Sequence, residues 1–266
     1  MGWWIMVDYV VVAPEICGGK SWSKPANYLF AAKMPVAPVL VAEVAAAAAA
    51  MPLAFSPQGS DFGLVAVLGL SADHNLYVAP DGRWMAGYIP AVVRGYPFRI
   101  GNGDDGQRLL CIDAAMVSER RTGAGEPFFD DEGRMTAETH AAAEGLSRQS
   151  SNMDQTASVC ALLQERGLIV PWDVVVQSDA GNRKIEGLFR IDEQALNNLS
   201  DEQFVALRKN GGLLLAYSQL LSMHHLATLG QLAQLSLAAR SQRQAVRQAT
   251  MSGDIDLSSL TGRHRG

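Results

Sequence analysis

The residues most able to do chemistry in this chain are a few carboxylates and one arginine set among apolar or aromatic neighbours. Glu43 stands inside the apolar run from Pro38 to Met51, where an ionised carboxylate is costly unless it is paired. It reads in one of three ways: as an acid or base with a raised pKa, as half of an internal ion pair with Arg94 or Arg83, or as a group on the helix's outer side. Asp113 closes a strand-like run. Glu126, Asp130, Asp131 and Glu132 form an acidic cluster before Gly133, offering oxygen ligands to a hard cation but lacking the spacing of a calcium loop. Phe128 and Phe129 inside the cluster favour a loop pinned by its rings, with the acids facing water.

His224 and His225 are adjacent, so on one helix they diverge by about 100° and cannot both face one ion without outside ligands. His74, His140 and His264 have no partner at metal spacing, and no metal or cofactor is expected. Cys17, Cys111 and Cys160 lie far apart, which supports neither a disulfide framework nor a zinc knuckle. Nucleophile-elbow, P-loop and dinucleotide signatures are absent, and the Gly101–Gly106 loop carries two aspartates that would repel phosphate.

The strongest remaining site candidate is the segment from Trp84 to Phe98. Trp84, Tyr88, Tyr96 and Phe98 supply rings, Arg94 a charged donor, and Pro90 and Pro97 fixed φ angles. Such a set forms either a platform for a peptide or planar ligand or a structural corner whose rings plug the core. Glu43, Asp113, Glu126 and Asp130 are the polar groups that would act beside it.

The elements that position these groups can be read from pattern. Phe62 to Leu70 is a nearly continuous apolar strand, and His74 to Val78 a second short one. Pro97–Ile100 pairs with Gln107–Ile112, and Trp172–Gln177 with Lys184–Ile191. Pro80 and Gly82 set a turn before Trp84. Pro38 fits the first position of a buried helix running through the alanines to Met51. A long helix over 137–166 carries Leu146, Met153 and Cys160 on one face and ends at Gly167. Ser200 and Gln203 form a capping box, that helix breaks at Asn210-Gly211-Gly212, and an apolar helix follows from Leu213 to about Leu237. Strands in hairpins and helices in separate runs predict an α+β fold, with a mainly antiparallel sheet and a helical C-terminal third.

The chain has 266 residues, 48% hydrophobic and 18% charged, enough for one large core or two small ones, and we expect one. We expect a poorly ordered extension over 1–25, a single domain over 26–238 and a tail over 239–266. The net charge of -5 gives no reason to expect a nucleic-acid partner, and a stripe of Arg240, Arg243 and Arg247 reads as a solvated helix face. The fourteen-residue run ending at Met51 falls short of the roughly twenty residues a bilayer span needs. The apolar N-terminus contains Asp8 and lacks a basic region, so we expect neither a secretory signal nor a transmembrane segment, and a cytoplasmic location.

The motif W-x3-Y-[IV]-P-A-x2-R-x-Y-P-F after a D-G-R turn, here on Trp84, Tyr88, Ile89, Pro90, Ala91, Arg94, Tyr96, Pro97 and Phe98, resembles the SapC family. The resemblance extends over roughly residues 28–235 through Met51-Pro52-Leu53-Ala54-Phe55, Asn75-Leu76-Tyr77-Val78, Leu110-Cys111-Ile112-Asp113, Glu126-Pro127-Phe128-Phe129-Asp130 and Gly187-Leu188-Phe189-Arg190-Ile191. It departs in two places. The family usually reads C-I-D-E where this chain has Asp113-Ala114, and Y-A-H-L where it has Tyr217-Ser218-Gln219-Leu220, so a carboxylate and a histidine that a catalytic site could use are missing. The family takes its name from a bacterial surface-layer locus and is distinct from the peptide-transport permease and from saposin. The resemblance implies a soluble bacterial protein of an envelope or surface-layer context, and in the absence of catalytic motifs we expect a non-enzymatic accessory that binds a protein or peptide partner. An enzyme or obligate enzyme subunit, with its site between the aromatic loop (84–98) and the acidic loop (126–133), is the alternative.

Overall fold

The computed structural model describes residues 8–103, 106–119, 125–178 and 181–251. Its centre is a hairpin, β4 (Leu53–Gln58) and β5 (Asp61–Val67), turned by Gly59-Ser60. Gly59 has φ 68°, which a two-residue hairpin demands at its first central position. β5 continues the hairpin into a five-stranded sheet in the order β10 (Ile169–Pro171), β13 (Phe189–Ile191), β4, β5, β3 (Val36–Pro38). Its Leu64, Val65, Ala66 and Val67 are all buried, so both faces are covered, and this is why the sequence there is apolar without alternation.

A second sheet joins β1 (Tyr9–Val11), β7 (Arg108–Asp113) and β6 (Phe98–Asn102), and a third joins β8 (Val117–Glu119), β2 (Lys20–Trp22) and β9 (Glu126–Pro127). β11 (Val174–Ser178) and β12 (Gly181–Ile185) form a separate hairpin. Among the described residues every strand pair is antiparallel, and the fold is α+β as expected.

The helices are α1 (Pro14–Cys17), α2 (Val44–Ala48), α3 (Ala91–Arg94), α4 (Ala137–Glu165), α5 (Glu193–Asn197), α6 (Asp201–Lys209), α7 (Gly212–Ser222) and α8 (His225–Met251). Thr136 caps α4 by accepting from the Thr139 N–H, and Ser200 with Gln203 caps α6 reciprocally. At about 1.5 Å per residue, the 29 residues of α4 span roughly 43 Å. That length lets α4 serve two hydrophobic clusters. Val159, Cys160 and Leu163 enter the larger, built on the five-stranded sheet with α2 and α7. Leu146 enters a smaller one with Val12, Cys17, Trp22, Phe98, Ile112, Phe128 and Phe129.

Several expectations are corrected. Residues 9–22 are not a loose extension: β1 pairs with β7, β2 pairs with both β8 and β9, and Cys17 and Trp22 are buried. Their strand partners lie about a hundred residues on in sequence, which no local pattern reveals. Residues 1–7 and 252–266 lie outside the described residues, as do Asp104 and Asp105 of the hairpin loop and the side chains of Arg240, Arg243 and Arg247. Two buried clusters replace the single core. Pro38 lies in β3, and the expected long helix shrinks to a 3₁₀ turn, Val41–Glu43, and α2. His74 to Val78 is a loop held by isolated bridges rather than a strand. Lys184 to Ile191 divides between β12 and β13 at Gly187, whose φ is 80°. The C-terminal helix is interrupted at Met223-His224, so His224 and His225 do not diverge; their rings lie 3.9 Å apart between centroids.

Candidate functional site

Glu43 is the anchor of the aromatic segment. Its side chain is only 7% exposed, and both oxygens are engaged. Oε1 accepts from the Leu40 N–H at 3.1 Å, and Oε2 accepts from the Tyr88 hydroxyl at 2.6 Å and the Ala91 N–H at 2.8 Å. The Arg94 guanidinium lies 3.6 Å away and donates to the Tyr88 hydroxyl at 3.1 Å. One carboxylate thus ties together Tyr88 ahead of α3, the helix's first residue and its last. Of the three readings of Glu43, the ion pair with Arg94 is the one the geometry gives.

The five residues of the candidate surface part company. Trp84 donates to the Tyr88 carbonyl at 2.7 Å, packs edge-on to Tyr28 at 5.8 Å, and with Tyr88 lies against the larger cluster. Arg94, Tyr96 and Phe98 instead line open space. After the cis Tyr96–Pro97 peptide bond, the Tyr96 ring stacks on Phe30 at 3.9 Å and 10°, an approach that maximises ring contact. Its hydroxyl donates to Asp113 Oδ2 at 2.5 Å, while Asp113 Oδ1 accepts from the Ala115 N–H at 2.9 Å.

Two clefts meet at this stacked pair. The first, about 730 Å³, is lined by Lys24, Asn27, Phe30, Arg94, Tyr96 and Arg148 among others. The second, about 670 Å³, includes Tyr9, Arg99, Arg108, Asp113 and Met153. Phe30, Tyr96, Phe98, Leu146 and Gln149 line both. The walls come from both hydrophobic clusters, Val93 with Tyr28 and Phe30 packed against it from the larger and Trp22, Phe98 and Leu146 from the smaller, so the first cleft runs along their seam. A seam between packed bodies is a preferred place for a ligand site.

The remaining polar candidates are placed elsewhere. Asp130 accepts from the Arg134 N–H and side-chain Nε, both at 2.9 Å, and that backbone bond together with the guanidinium holds its carboxyl below the usual range. Glu126 pairs across from Trp22 on β9 and is exposed. The acidic loop does reach the aromatic one, but through Phe128 set edge-on to Phe98 at 6.5 Å; the acids line neither cleft. Burial pushes the Cys160 thiol up to about 12, and all three cysteines are buried and unpaired. Among the described residues no three His, Cys, Asp or Glu side chains are grouped to hold a metal, and no helix is long and apolar enough to cross a membrane.

Sequence reasoning missed Phe30, Arg99 and Gln149. Arg99 lays its guanidinium over the Tyr9 ring, 3.6 Å from the centroid. Phe30 sits in a single 3₁₀ turn, Leu29–Ala31, sixty-six positions before its stacking partner, so no spacing rule joins them. The histidine sought near Tyr217 also finds its explanation. Gln219 is fully buried, lines neither cleft, and accepts from the Ile191 N–H at 2.9 Å while donating to the Leu53 carbonyl at 3.1 Å.

The two loop phenols have a measurable signature. Burial, followed by the hydrogen bond and charge of Glu43, pushes Tyr88 up from 10.0 to about 12; burial and the Asp113 bond raise Tyr96 further. A tyrosine whose folded pKa is raised stabilises the fold below its unfolded pKa and loses that contribution as pH rises through the folded value. Melting temperature is therefore expected to fall from about pH 10 to 12 in step with phenolate absorbance. Tyr88→Phe should remove part of that slope; an unchanged slope in Tyr88→Phe and Tyr96→Phe alike would refute the assignment.

No curated protein and no solved structure matches the chain. Residues 18–229, taking in β2 and everything through the start of α8, match the SapC family model, so the match begins earlier than the resemblance by motif alone. On that match, covering most of its length and carrying the motif that builds the clefts' shared wall, the chain belongs to the SapC family.

Proposed function

We propose that this protein is a non-enzymatic binding protein that seats a peptide segment of a protein partner at the Phe30–Tyr96 stack, as an accessory of a bacterial envelope or surface-layer system. The observation that carries the reading is the pair of open, ring-walled clefts sharing one aromatic wall. Together they offer ring-lined walls of the kind a peptide segment packs against, with Arg and Lys donors in the lining. Action inside the cell is favoured by three cysteines left as free, buried thiols, the state a reducing compartment maintains. The envelope association rests on family membership.

The test is co-purification from the native bacterium with the full chain as bait, alongside Phe30→Ala and Tyr96→Ala. Loss of a buried aromatic anchor typically weakens an interface by roughly 10- to 30-fold, and partner retention is expected to fall by that factor. Equal retention by both variants overturns the reading, as does a co-purified small molecule that the protein converts.

A further inference from the structure

We infer that the segment seated in the first cleft is acidic: a peptide whose carboxylates meet Lys24, Arg94 and Arg148 while a neighbouring aromatic or aliphatic side chain packs against Phe30 and Tyr96. This rests on the peptide-binding reading above and adds the chemistry of the peptide. The chain as a whole is acidic, at net -5, yet among the described residues the first cleft is lined by three cations and by no Asp or Glu.

The three come from different places: Lys24 follows β2, Arg94 ends α3 and Arg148 lies midway along α4. Their meeting is thus a tertiary arrangement and not the charged stripe of a single solvated helix.

Their charge is available. Arg94 and Arg148 are 54% and 71% exposed, and their carboxylate partners, Glu43 and Glu144, stand at 3.6 and 3.9 Å, beyond a good charge-assisted hydrogen bond. Ion pairs this long, with the arginine side exposed, contribute little and leave the guanidinium able to take a better acceptor. Glu43 is already satisfied by three other donors. Lys24 is exposed and forms no ion pair among the described residues. Guanidinium groups take carboxylates in paired geometry, so two arginines flanking an apolar floor select an acidic residue beside a bulky one. A nucleic acid fits less well, since three cations on an acidic protein neutralise few phosphates.

The experiment is selection of a displayed library of short random peptides on the immobilised full chain, run in parallel on Phe30→Ala and on the double variant Lys24→Glu/Arg148→Glu. Enriched sequences are expected to combine Asp or Glu with Phe, Tyr, Trp or Leu. A synthetic peptide of the leading sequence should bind the double variant roughly tenfold or more weakly, and should weaken on the parent as salt rises from about 0.05 to 0.5 M. Neutral or basic sequences that bind parent and double variant alike, yet fail on Phe30→Ala, overturn the acidic inference and leave peptide binding standing. No enrichment on the parent over Phe30→Ala overturns both. Displacement of the peptide by a single-stranded oligonucleotide at lower concentration than by free acidic peptide overturns the inference in favour of nucleic acid.

Discussion

Replacing Glu43 with alanine is expected to cost about 3 kcal/mol of folding stability, because two backbone N–H groups and a phenol lose their acceptor at once and each orphaned donor costs about 1–3 kcal/mol where water cannot reach it. Leu40 N, Ala91 N and the Tyr88 hydroxyl all converge on this carboxylate. For a chain of this size, such a loss lowers the melting temperature by roughly 6–12 °C. Glu43→Gln should recover little. Its single oxygen can serve Tyr88 and Ala91 or else Leu40, and in either case its NH₂ points at a donor. Arg94→Ala, by contrast, should cost less than about 1 kcal/mol, since a half-exposed ion pair contributes little. Urea unfolding of the three variants decides the matter; a Glu43→Ala protein as stable as Arg94→Ala would show that the carboxylate does not hold the loop.

Gln219→Leu is the second change with a large expected effect, of about 2–4 kcal/mol, the cost of two buried groups left without partners. β13 and β4 pair directly only at Phe189↔Phe55. Two residues further along that register Ile191 would face Leu53, but the Gln219 amide stands between them, accepting from one and donating to the other. Ser222 completes the wedge by accepting from the Leu53 N–H at 2.9 Å and donating to the Gln219 carbonyl at 2.7 Å. A neutral imidazole also presents one donor and one acceptor, so Gln219→His is expected to be the mildest substitution at neutral pH. Protonation would give it two donors and leave the Ile191 N–H unanswered, so its folded pKa is lowered. Its contribution is therefore intact above the unfolded value of about 6.5 and lost as pH falls below it. Melting curves from acid to neutral pH test this: a Gln219→His protein as pH-independent as Gln219→Leu would remove the wedge as the explanation.

Gln219 accordingly has a structural reason at this position, bridging Ile191 and Leu53. Pattern alone could not have said so, because the amide's partners lie 28 and 166 residues away. Features closed by near neighbours were legible. The Ser200–Gln203 box, the Gly167 stop, the β6–β7 hairpin and the turn at Gly82, φ 86°, each follow from a few adjacent residues. The β4–β5 hairpin went unread because Ser56-Pro57-Gln58 looks like a loop; Pro57 is accommodated near the strand's exposed end. At the site, the segment 84–98 stood out by composition. Its division into rings that pack inward and rings that line the clefts was set by distant groups, Glu43 on one side and Phe30 and Asp113 on the other.

One consequence follows from the reach of α4. Its middle turns, at Leu146 and Gln149, line both clefts, while its two halves are gripped by separate buried clusters. A guest wedged at that midpoint would press on the element that both clusters hold. The far turns of α4 are then where a push at the midpoint would be felt, at a distance from the guest itself.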